Sequence, residues 1–308
     1  MNQRLRNTFY LLTGIALLLS ACDPAQAQQV PNQPIKVLAV ETFLADIAQN
    51  IAGDRLKIDS LLPVGMDPHA YEPTPQDVTR IAESQIVITN GAGFELWLAK
   101  TLDNAGGQHT VIEASAGLTS RKPSSDEVID PDHTGDPHFW LDPNNVIKYA
   151  ENIRDGLTAA DPEGKMIYAQ NTQNYITQLK ELDQWIRAQV SQIPPAKRLL
   201  VTNHESFGYF ADRYGFTIIG TVIPSTSSEA SPSAKQMAAL IDRIKQYSVK
   251  AIFLETGANP QLAEQIAQET GAQVITDMYT HSITAASGEA PTYIEMMKHN
   301  VSLLAALK

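Results

Sequence analysis

Four histidines stand in short polar segments where their imidazoles could bind one common ligand. His69, His204 and His281 each follow an apolar run that is typical of a β-strand, and His138 stands in an Asp-Pro-His segment. Ligands of open α/β sheets bind beyond the carboxyl ends of the strands. Neutral imidazole is the commonest metal-binding side chain, and four imidazoles in a closed shell suit tetrahedral Zn²⁺. The pattern therefore predicts a transition-metal site formed by these four residues, with zinc as the first candidate.

The other three of the seven histidines are interpreted as ordinary surface residues. His109 follows a Gly-Gly turn, and His299 lies on the polar side of the predicted last helix. His133 lies in the polar segment 119–137, from which it could contact a metal ion transiently. None of the three belongs to the predicted ligand set.

Two series of alternating strand-like and helix-like segments must position these side chains. The first series begins at the apolar run Ile35–Val40 and the second at Leu199–Thr202. Such alternation is typical of an α/β fold with a mainly parallel sheet. Between the two series, Glu163–Ile193 has the longest uninterrupted helical spacing. We therefore predict two similar α/β lobes, residues 35–162 and 196–308, bridged by one long helix in 163–195, with the metal site in the cleft between them.

Local signals predict where several helices begin and end. Gly53 is expected to stop the helix that starts at Thr42, because glycine favours the backbone conformation that follows a helix. Thr74 is expected to cap the next helix, since its side chain can accept a hydrogen bond from the first helical turn. Apolar spacing predicts further helices over Phe94–Leu102 and near Tyr293–Leu307.

Residues 1–22 are typical of a secretory signal peptide. Basic residues precede the apolar run Phe9–Leu19, which is shorter than the roughly 20 residues of a membrane-spanning helix. The run ends in Leu-Ser-Ala-Cys, which matches the bacterial lipobox, so we predict that Cys22 carries lipid. The protein would then be extracytoplasmic, in the periplasm or on the outer face, anchored to the membrane. Residues 23–34 are rich in Pro and Gln and are predicted to form a flexible tether.

The composition excludes some partners and bonds. The chain has 23 basic and 34 acidic residues, which gives a formal net charge of −11. Nucleic-acid binding relies on a basic surface, so we expect no nucleic-acid partner, whereas a cationic ligand is compatible with this charge. Cys22 is the only cysteine, so an intramolecular disulfide is impossible.

Five segments of the sequence resemble the cluster A-I solute-binding proteins of ABC importers, the ZnuA/TroA-like family for zinc and manganese. The resemblance covers about Ile35 to Lys308, and its local matches are Gly65–Asp77 (GMDPHAYEPTPQD), Asp136–Pro143 (DPHFWLDP), Val201–Phe210 (VTNHESFGYF), Ser228–Ser233 (SEASPS) and Tyr279–Ile283 (YTHSI). It implies two α/β lobes bridged by a long helix and a binding protein rather than an enzyme. It also implies that the protein delivers metal to a membrane permease, and that the ligands are His69, His138, His204 and His281. We expect a monomer.

Two ligand positions bear on the identity of the metal. Manganese-type members tend to have a carboxylate at the third position and zinc-type members a histidine, so His204 favours zinc. The fourth position is usually Asp, whereas this chain has His281. Outer groups such as Glu205 or Glu255 are then expected to offset the charge of the ion. The chain also lacks the long His-rich loop of many zinc-type members. Mn²⁺ or Fe²⁺ as the metal, and Glu205 or Asp277 as a further ligand, stay open.

Two other functions are weighed against metal capture. A zinc hydrolase needs three protein ligands, an open coordination position and a nearby base. Glu205 beside His204 could be drawn as that base, but the chain has no H-E-x-x-H motif. A surface adhesin built on the same fold is the other hypothesis. Metal transport that survived deletion of this protein would favour it.

Overall fold

The computed structural model describes residues 35–122 and 135–306. Within these ranges the strands form two four-stranded sheets, and the strands paired within each sheet are parallel. The predicted α/β fold class with two parallel lobes is therefore confirmed. The signal segment, Cys22, the tether and His133 lie outside the described residues, and the statements about them stay predictions. No helix in the described ranges is both long enough and apolar enough to cross a membrane.

The first lobe is a sheet with the strand order β2-β1-β3-β4 and helices on both faces. Its elements are β1 Val37–Ala39, α1 Thr42–Ala52, β2 Ile58–Ser60, α2 Pro75–Ala82, β3 Ile86–Thr89, α3 Leu98–Ala105, β4 Thr110–Glu113 and α4 Pro143–Ala160. Along β1, Val37 packs in the same cluster as Phe43 of α1, whereas Leu38 packs with Ile81 of α2. Successive strand residues point to opposite faces, so a strand covered on both sides has a continuous apolar sequence.

The second lobe repeats this arrangement with the strand order β6-β5-β7-β8. Its elements are β5 Leu199–Thr202, α6 Gly208–Tyr214, β6 Thr217–Thr221, α7 Ala234–Tyr247, β7 Ala251–Glu255, α8 Gln261–Thr270 and β8 Gln273–Met278. The pairing register shifts in β5 between Leu200 and Val201, and in β7 between Phe253 and Glu255. The first sheet shows no such shift in its pairing. Such irregularities bend a strand and re-aim the side chains that follow it.

One long helix, α5, connects the two lobes as the sequence predicts. It runs from Lys165 to Ser191, and its 27 residues span about 40 Å at 1.5 Å per residue. A single apolar cluster contains Trp140 before α4, Tyr175 of α5 and Phe210 of the second lobe, all almost fully buried. Because interiors of this kind are close-packed, this shared core resists large movements of one lobe against the other.

The last helix, α9 Tyr293–Ala305, follows the second lobe in sequence but packs against α1 and α5. The Tyr293 backbone N–H donates a hydrogen bond of 2.9 Å to the Asp46 carboxylate of α1. The Tyr293 hydroxyl donates to the Trp140 carbonyl over 2.6 Å. Helix α9, which follows the second lobe, thus links that lobe to the first through these contacts.

The predicted helix caps on either side of β2 are present. Gly53 follows α1 with φ of +58°, which a residue with a side chain rarely adopts. Thr74 and Asp77 form a reciprocal cap at α2: each side chain accepts a hydrogen bond from the backbone N–H of the other.

The helix predicted over Phe94–Leu102 begins later, at Leu98. The Glu95 carboxylate accepts hydrogen bonds from the Thr89 hydroxyl at 2.5 Å and from the Asn90 N–H at 2.6 Å. This side chain holds the preceding residues in turns, so the first helical turn cannot form there. Apolar spacing cannot report such a contact between a side chain and a turn.

Candidate metal centre

The four predicted histidines converge on one point between the two sheets. Each offers a ligand atom, and these atoms lie within 4.8 Å of one another. The Nε2 atom of His138 lies 3.2 Å from Nε2 of His69 and 3.1 Å from Nε2 of His204. The His281 ring centroid lies 5.1 Å from that of His204. His138 and His204 are fully buried, and the other two are at most 9% exposed.

These separations suit one metal ion bound by imidazole nitrogens. In a tetrahedron with Zn–N bonds of 2.0–2.1 Å, ligand nitrogens are separated by about 3.3–3.4 Å. The two measured Nε2 separations are slightly shorter. Side-chain shifts of a few tenths of an ångström would therefore be enough for the histidines to surround an ion.

The ligand loops come from the carboxyl edges of both sheets. His69 lies in the loop after β2, His204 closely follows β5, and His281 follows β8. His138 directly precedes a short 3₁₀ turn, Phe139–Leu141, at the start of α4. The cluster therefore depends on the packing of one lobe against the other, which no local segment contains.

In the second lobe, one carboxylate lies close to the Nδ1 atoms of both histidines. Glu255 stands at the end of β7, where the register shifts, and its Oε1 lies 2.7 Å from Nδ1 of His204. Its Oε2 lies 3.7 Å from Nδ1 of His281. A carboxylate on the outer nitrogen fixes the ring orientation and raises the basicity of the nitrogen that faces the metal. The outer role that the sequence suggested for Glu255 agrees with these distances.

Burial and charge act in opposite directions on these groups. Burial raises the pKa of Glu255, but the charges of His204 and His281 outweigh it, so the pKa is below the usual value. Burial lowers the pKa of His204, but the negative charge of Glu255 beside the ring outweighs it, so the pKa is raised. For His281 burial dominates, and its pKa is lowered. Glu255 is therefore an anion beside two imidazoles whose pKa values are shifted in opposite directions.

In the first lobe, the same local motif precedes both histidines. In each Asp-Pro-His segment the Asp Oδ1 accepts the backbone N–H of the histidine, at 2.9 Å in Asp67–His69 and in Asp136–His138. Asp136 Oδ1 also lies 2.9 Å from Nδ1 of His138. Such Asx turns fix the backbone of short loops. The repeated Asp-Pro-His motif is visible in the sequence, whereas the hydrogen bonds that its aspartates accept are seen only in the structure.

Asp136 is itself held by the second lobe. Tyr209 of α6 donates a hydrogen bond of 2.7 Å to the Asp136 carbonyl. Arg121 lies 3.4 Å from the Asp136 carboxylate and 2.7 Å from Asp212 of α6. The orientation of His138 thus depends on contacts that cross between the lobes.

Aromatic rings form the first-lobe wall of the site. Phe94 packs against His69 with ring centroids 4.8 Å apart, and Trp140 packs against His138 at 5.2 Å. Glu95, the residue after Phe94, is buried, and so is Glu41; desolvation raises the pKa of both carboxyls. The charge of Glu95 also raises the pKa of Glu41. These shifts favour the protonated form of the carboxyls, which avoids two neighbouring buried negative charges.

The structure does not place the other proposed ligands in the cluster. Glu205 lines a separate cavity of about 980 Å³, which none of the four histidines lines. Asp277 is exposed at the end of β8. The ring nitrogens of His109 lie 2.8 and 2.7 Å from two backbone carbonyls. The Nε2 atom of His299 is hydrogen-bonded to the Asp277 carbonyl.

Two openings lead from the surface towards the histidines. A cavity of about 610 Å³ reaches His281 and is also lined by Asp67 and Glu255. A smaller cavity of about 210 Å³ reaches His69, between Phe94 of the first lobe and Glu229 of the second.

The chain is similar to known proteins that bind metal ions. The family described as "Zinc-uptake complex component A periplasmic" matches residues 37–307. The chain is similar to the manganese-binding lipoprotein MntA of Halalkalibacterium halodurans, with 33% identity over 293 residues and 95% of each chain covered. It is also similar to the manganese ABC transporter substrate-binding lipoprotein PsaA of Streptococcus mitis, with 29% identity over 306 residues and 97% of each chain covered.

A solved structure extends the comparison to the fold. The periplasmic zinc binding protein TroA of Treponema pallidum superposes with a TM-score of 0.80 at 26% identity. The match covers 89% of this chain and 98% of the other. The similarity therefore includes both lobes and the helix between them.

Proposed function

We propose a function from the family to which the chain belongs, that of the periplasmic zinc-uptake complex component A. In this proposal the protein carries a metal ion, which is bound by His69, His138, His204 and His281. The chain is a metal-binding, substrate-binding component of an ABC importer, as its curated relatives are. Its partners are therefore a divalent metal ion and a membrane permease. The alternative of a zinc hydrolase is wrong, because these relatives are binding lipoproteins rather than enzymes.

One observation carries the assignment of the ligands. Three Nε2 atoms, from residues far apart in sequence, lie within 3.2 Å of a neighbour in a buried cluster. A ring nitrogen has either one hydrogen or one lone pair, so Nε2 of His138 can make a regular hydrogen bond with only one of its two Nε2 neighbours. A shared cation removes this difficulty, because every nitrogen can then point a lone pair at it.

We infer Mn²⁺ as the cargo, the alternative to zinc that the sequence leaves open. Support comes from the two curated relatives, which are named for manganese. Zn²⁺ is the second candidate, since a set of four imidazoles suits it better than Mn²⁺, which prefers oxygen ligands. TroA, which is named for zinc, has the same fold.

Affinity alone does not decide between the two metals, because nitrogen sites in general bind Zn²⁺ more tightly than Mn²⁺. Uptake of radioactive manganese and zinc should instead be compared in cells with and without this protein. We expect deletion to lower manganese accumulation and to leave zinc unchanged. A loss of zinc uptake alone would establish the second candidate. Uptake of both metals at normal rates would favour the adhesin hypothesis.

We also propose that Cys22 carries the lipid that anchors the protein outside the cytoplasm. Support comes from the Leu-Ser-Ala-Cys segment and from the relatives, which are named as lipoproteins. A Cys22→Ser variant should lose incorporation of labelled fatty acid and appear in the soluble extracytoplasmic fraction. Continued labelling of this variant would contradict the assignment.

A further inference from the structure

We propose that the metal ion reaches the four histidines through the larger cavity, and that Asp67 is the residue that receives it there and guides it to His281. This inference rests on the proposed function and deepens it, because it assigns the route and a positioning residue that is not one of the four ligands.

The burial of the ligands restricts the routes that an ion can take. His138 and His204 have no exposed surface. His281 and His69 are 7% and 9% exposed, and each lines a different cavity. Without large movements of the lobes, an ion must therefore contact one of these two rings first.

The larger cavity contains two carboxylates that can replace the water ligands of an entering cation. Asp67 Oδ1 and Glu255 Oε2 lie 4.0 and 3.7 Å from the outer nitrogen of His281. Carboxylate oxygens can replace water ligands one at a time, which lowers the cost of desolvating a divalent ion. Glu255 is buried, whereas the Asp67 side chain is 37% exposed, so Asp67 is the carboxylate that a cation meets first.

The smaller cavity lacks this arrangement. Phe94 packs edge-on against His69, and the Trp97 indole N–H is bonded to the Pro68 carbonyl at 2.9 Å. These rings form an apolar wall around His69. Two carboxylates, Glu72 and Glu229, line this cavity, but both residues are exposed. They are therefore useful controls for the effect of charge alone.

Asp67 also joins the two lobes at the mouth of the larger cavity. Its Oδ2 accepts a hydrogen bond of 2.5 Å from the Ser228 hydroxyl of the second lobe. Beside it, the Gly65 N–H donates to the Ser282 hydroxyl at 2.8 Å. A cation that binds Asp67 Oδ1, the oxygen nearer His281, draws electron density from the carboxylate and so weakens the hydrogen bond that Ser228 donates to Oδ2. Arrival of the ion would thus loosen this contact at the point where the ion must pass.

The test is the rate of metal association with the full-length, metal-free protein. Zn²⁺ and, separately, Mn²⁺ are mixed with it in a stopped-flow instrument, and tryptophan fluorescence is followed, to which Trp140 contributes as one of three tryptophans. This ring lies 5.2 Å from His138 and 6.4 Å from His281, so it should report arrival of the ion. Rates are measured at several ionic strengths, because steering by charge weakens as salt rises.

Three variants give distinct expectations. Asp67→Asn keeps an oxygen that can accept the His69 N–H, but it loses the charge. It should slow association at least about fivefold at low salt and flatten the salt dependence, with the dissociation rate within about twofold of the original. Ser228→Ala should speed association, because the carboxylate is then released. Glu72→Gln and Glu229→Gln should leave both rates unchanged.

Other results would overturn the route. Slower association in Glu72→Gln or Glu229→Gln, with Asp67→Asn unchanged, would place access at the smaller cavity. A change in Asp67→Asn that affects only dissociation would indicate a structural role at His69. If Asp67→Asn fails to fold, unchanged association in Ser228→Ala would still contradict the inference. If the original protein binds neither metal, the proposed function itself fails, which is a different result.

Discussion

The two lobes have the same strand order but support their histidines by different means. In the first sheet the pairing is regular, and the ligand loops are fixed by two Asp-Pro-His turns and by the rings of Phe94 and Trp140. In the second sheet the register of β5 and β7 is shifted, and the single carboxylate of Glu255 contacts both histidines.

This difference shows that a repeated topology does not require a repeated site. The first lobe holds each ring separately, through local turns and apolar packing. The second lobe places both rings under one buried charge, so His204 and His281 depend on each other. Four neutral imidazoles do not offset the charge of a divalent ion, and Glu255 is the buried carboxylate that contacts two of them. Substitutions should therefore have larger effects on the second-lobe side.

The largest expected effect is that of removing a second-lobe ligand. His204→Ala should weaken metal binding at least about 100-fold, because losing an outer-shell partner alone typically costs 10–100-fold. Binding is measured by competition with a chromogenic chelator. His109→Ala is the matched control and should leave affinity unchanged, since His109 contacts only backbone carbonyls in the pairs observed. Full affinity in His204→Ala would refute the four-histidine site.

The comparison between the lobes is tested directly by their carboxylates. Glu255→Gln should weaken binding roughly 10–100-fold, because two imidazoles lose their anionic partner. Asp136→Asn should have a smaller effect, since in the pairs observed that carboxylate contacts one ligand histidine, His138, rather than two. Both variants are compared by the same competition titration. A larger loss for Asp136→Asn would mean that the first lobe, rather than the second, supplies the decisive charge.

The junction between the lobes offers a test of stability instead of binding. Burial raises the pKa of Asp46, beside the start of α9, from 3.8 to about 6. The folded state therefore keeps a proton that the unfolded chain has lost, and stability falls as pH rises from about 4 to 6. Asp46→Asn cannot ionise and still accepts the Tyr293 N–H. Above pH 6 it should be more stable than the original by about 2 kcal/mol, after allowance for partial exposure.

Urea unfolding at pH 4 and pH 7.5 measures this difference. The two proteins should have similar stability at pH 4 and should diverge at pH 7.5. A loss of stability in Asp46→Asn at pH 7.5 would show that the ionised carboxylate stabilises the amino end of α9 more than burial penalises it.

The smallest expected effect concerns the choice of metal. His281→Asp adds an oxygen anion at the fourth position and should raise the affinity for Mn²⁺ relative to Zn²⁺ by about tenfold. Competition titrations with the two ions, at one pH, measure this ratio. The Asp277→Asn variant, at an exposed position outside the cluster, should leave it unchanged. An unchanged ratio in His281→Asp would argue that His281 does not bind the ion.

Much of the fold was predictable from the sequence because its signals are local. Alternating apolar runs indicated the parallel sheets, and Thr74 and Gly53 marked helix ends through contacts within a few residues. The helix predicted from Phe94 was misplaced, since the Glu95 carboxylate organises a turn there. The packing of α9 on the first lobe was also not predicted, because it depends on partners such as Asp46 that are distant in sequence.

For the site, the sequence determined which residues are present, and the tertiary structure decided what they can do together. Loop position and the resemblance to a family selected His69, His138, His204 and His281. Only the packing of the lobes brings the ligand atoms of all four within 4.8 Å of one another and places Glu255 against two rings. The physical reason is that such distances depend on long-range packing, whereas strand periodicity and capping depend on neighbours along the chain. The site therefore exists only when both lobes are folded against the same core.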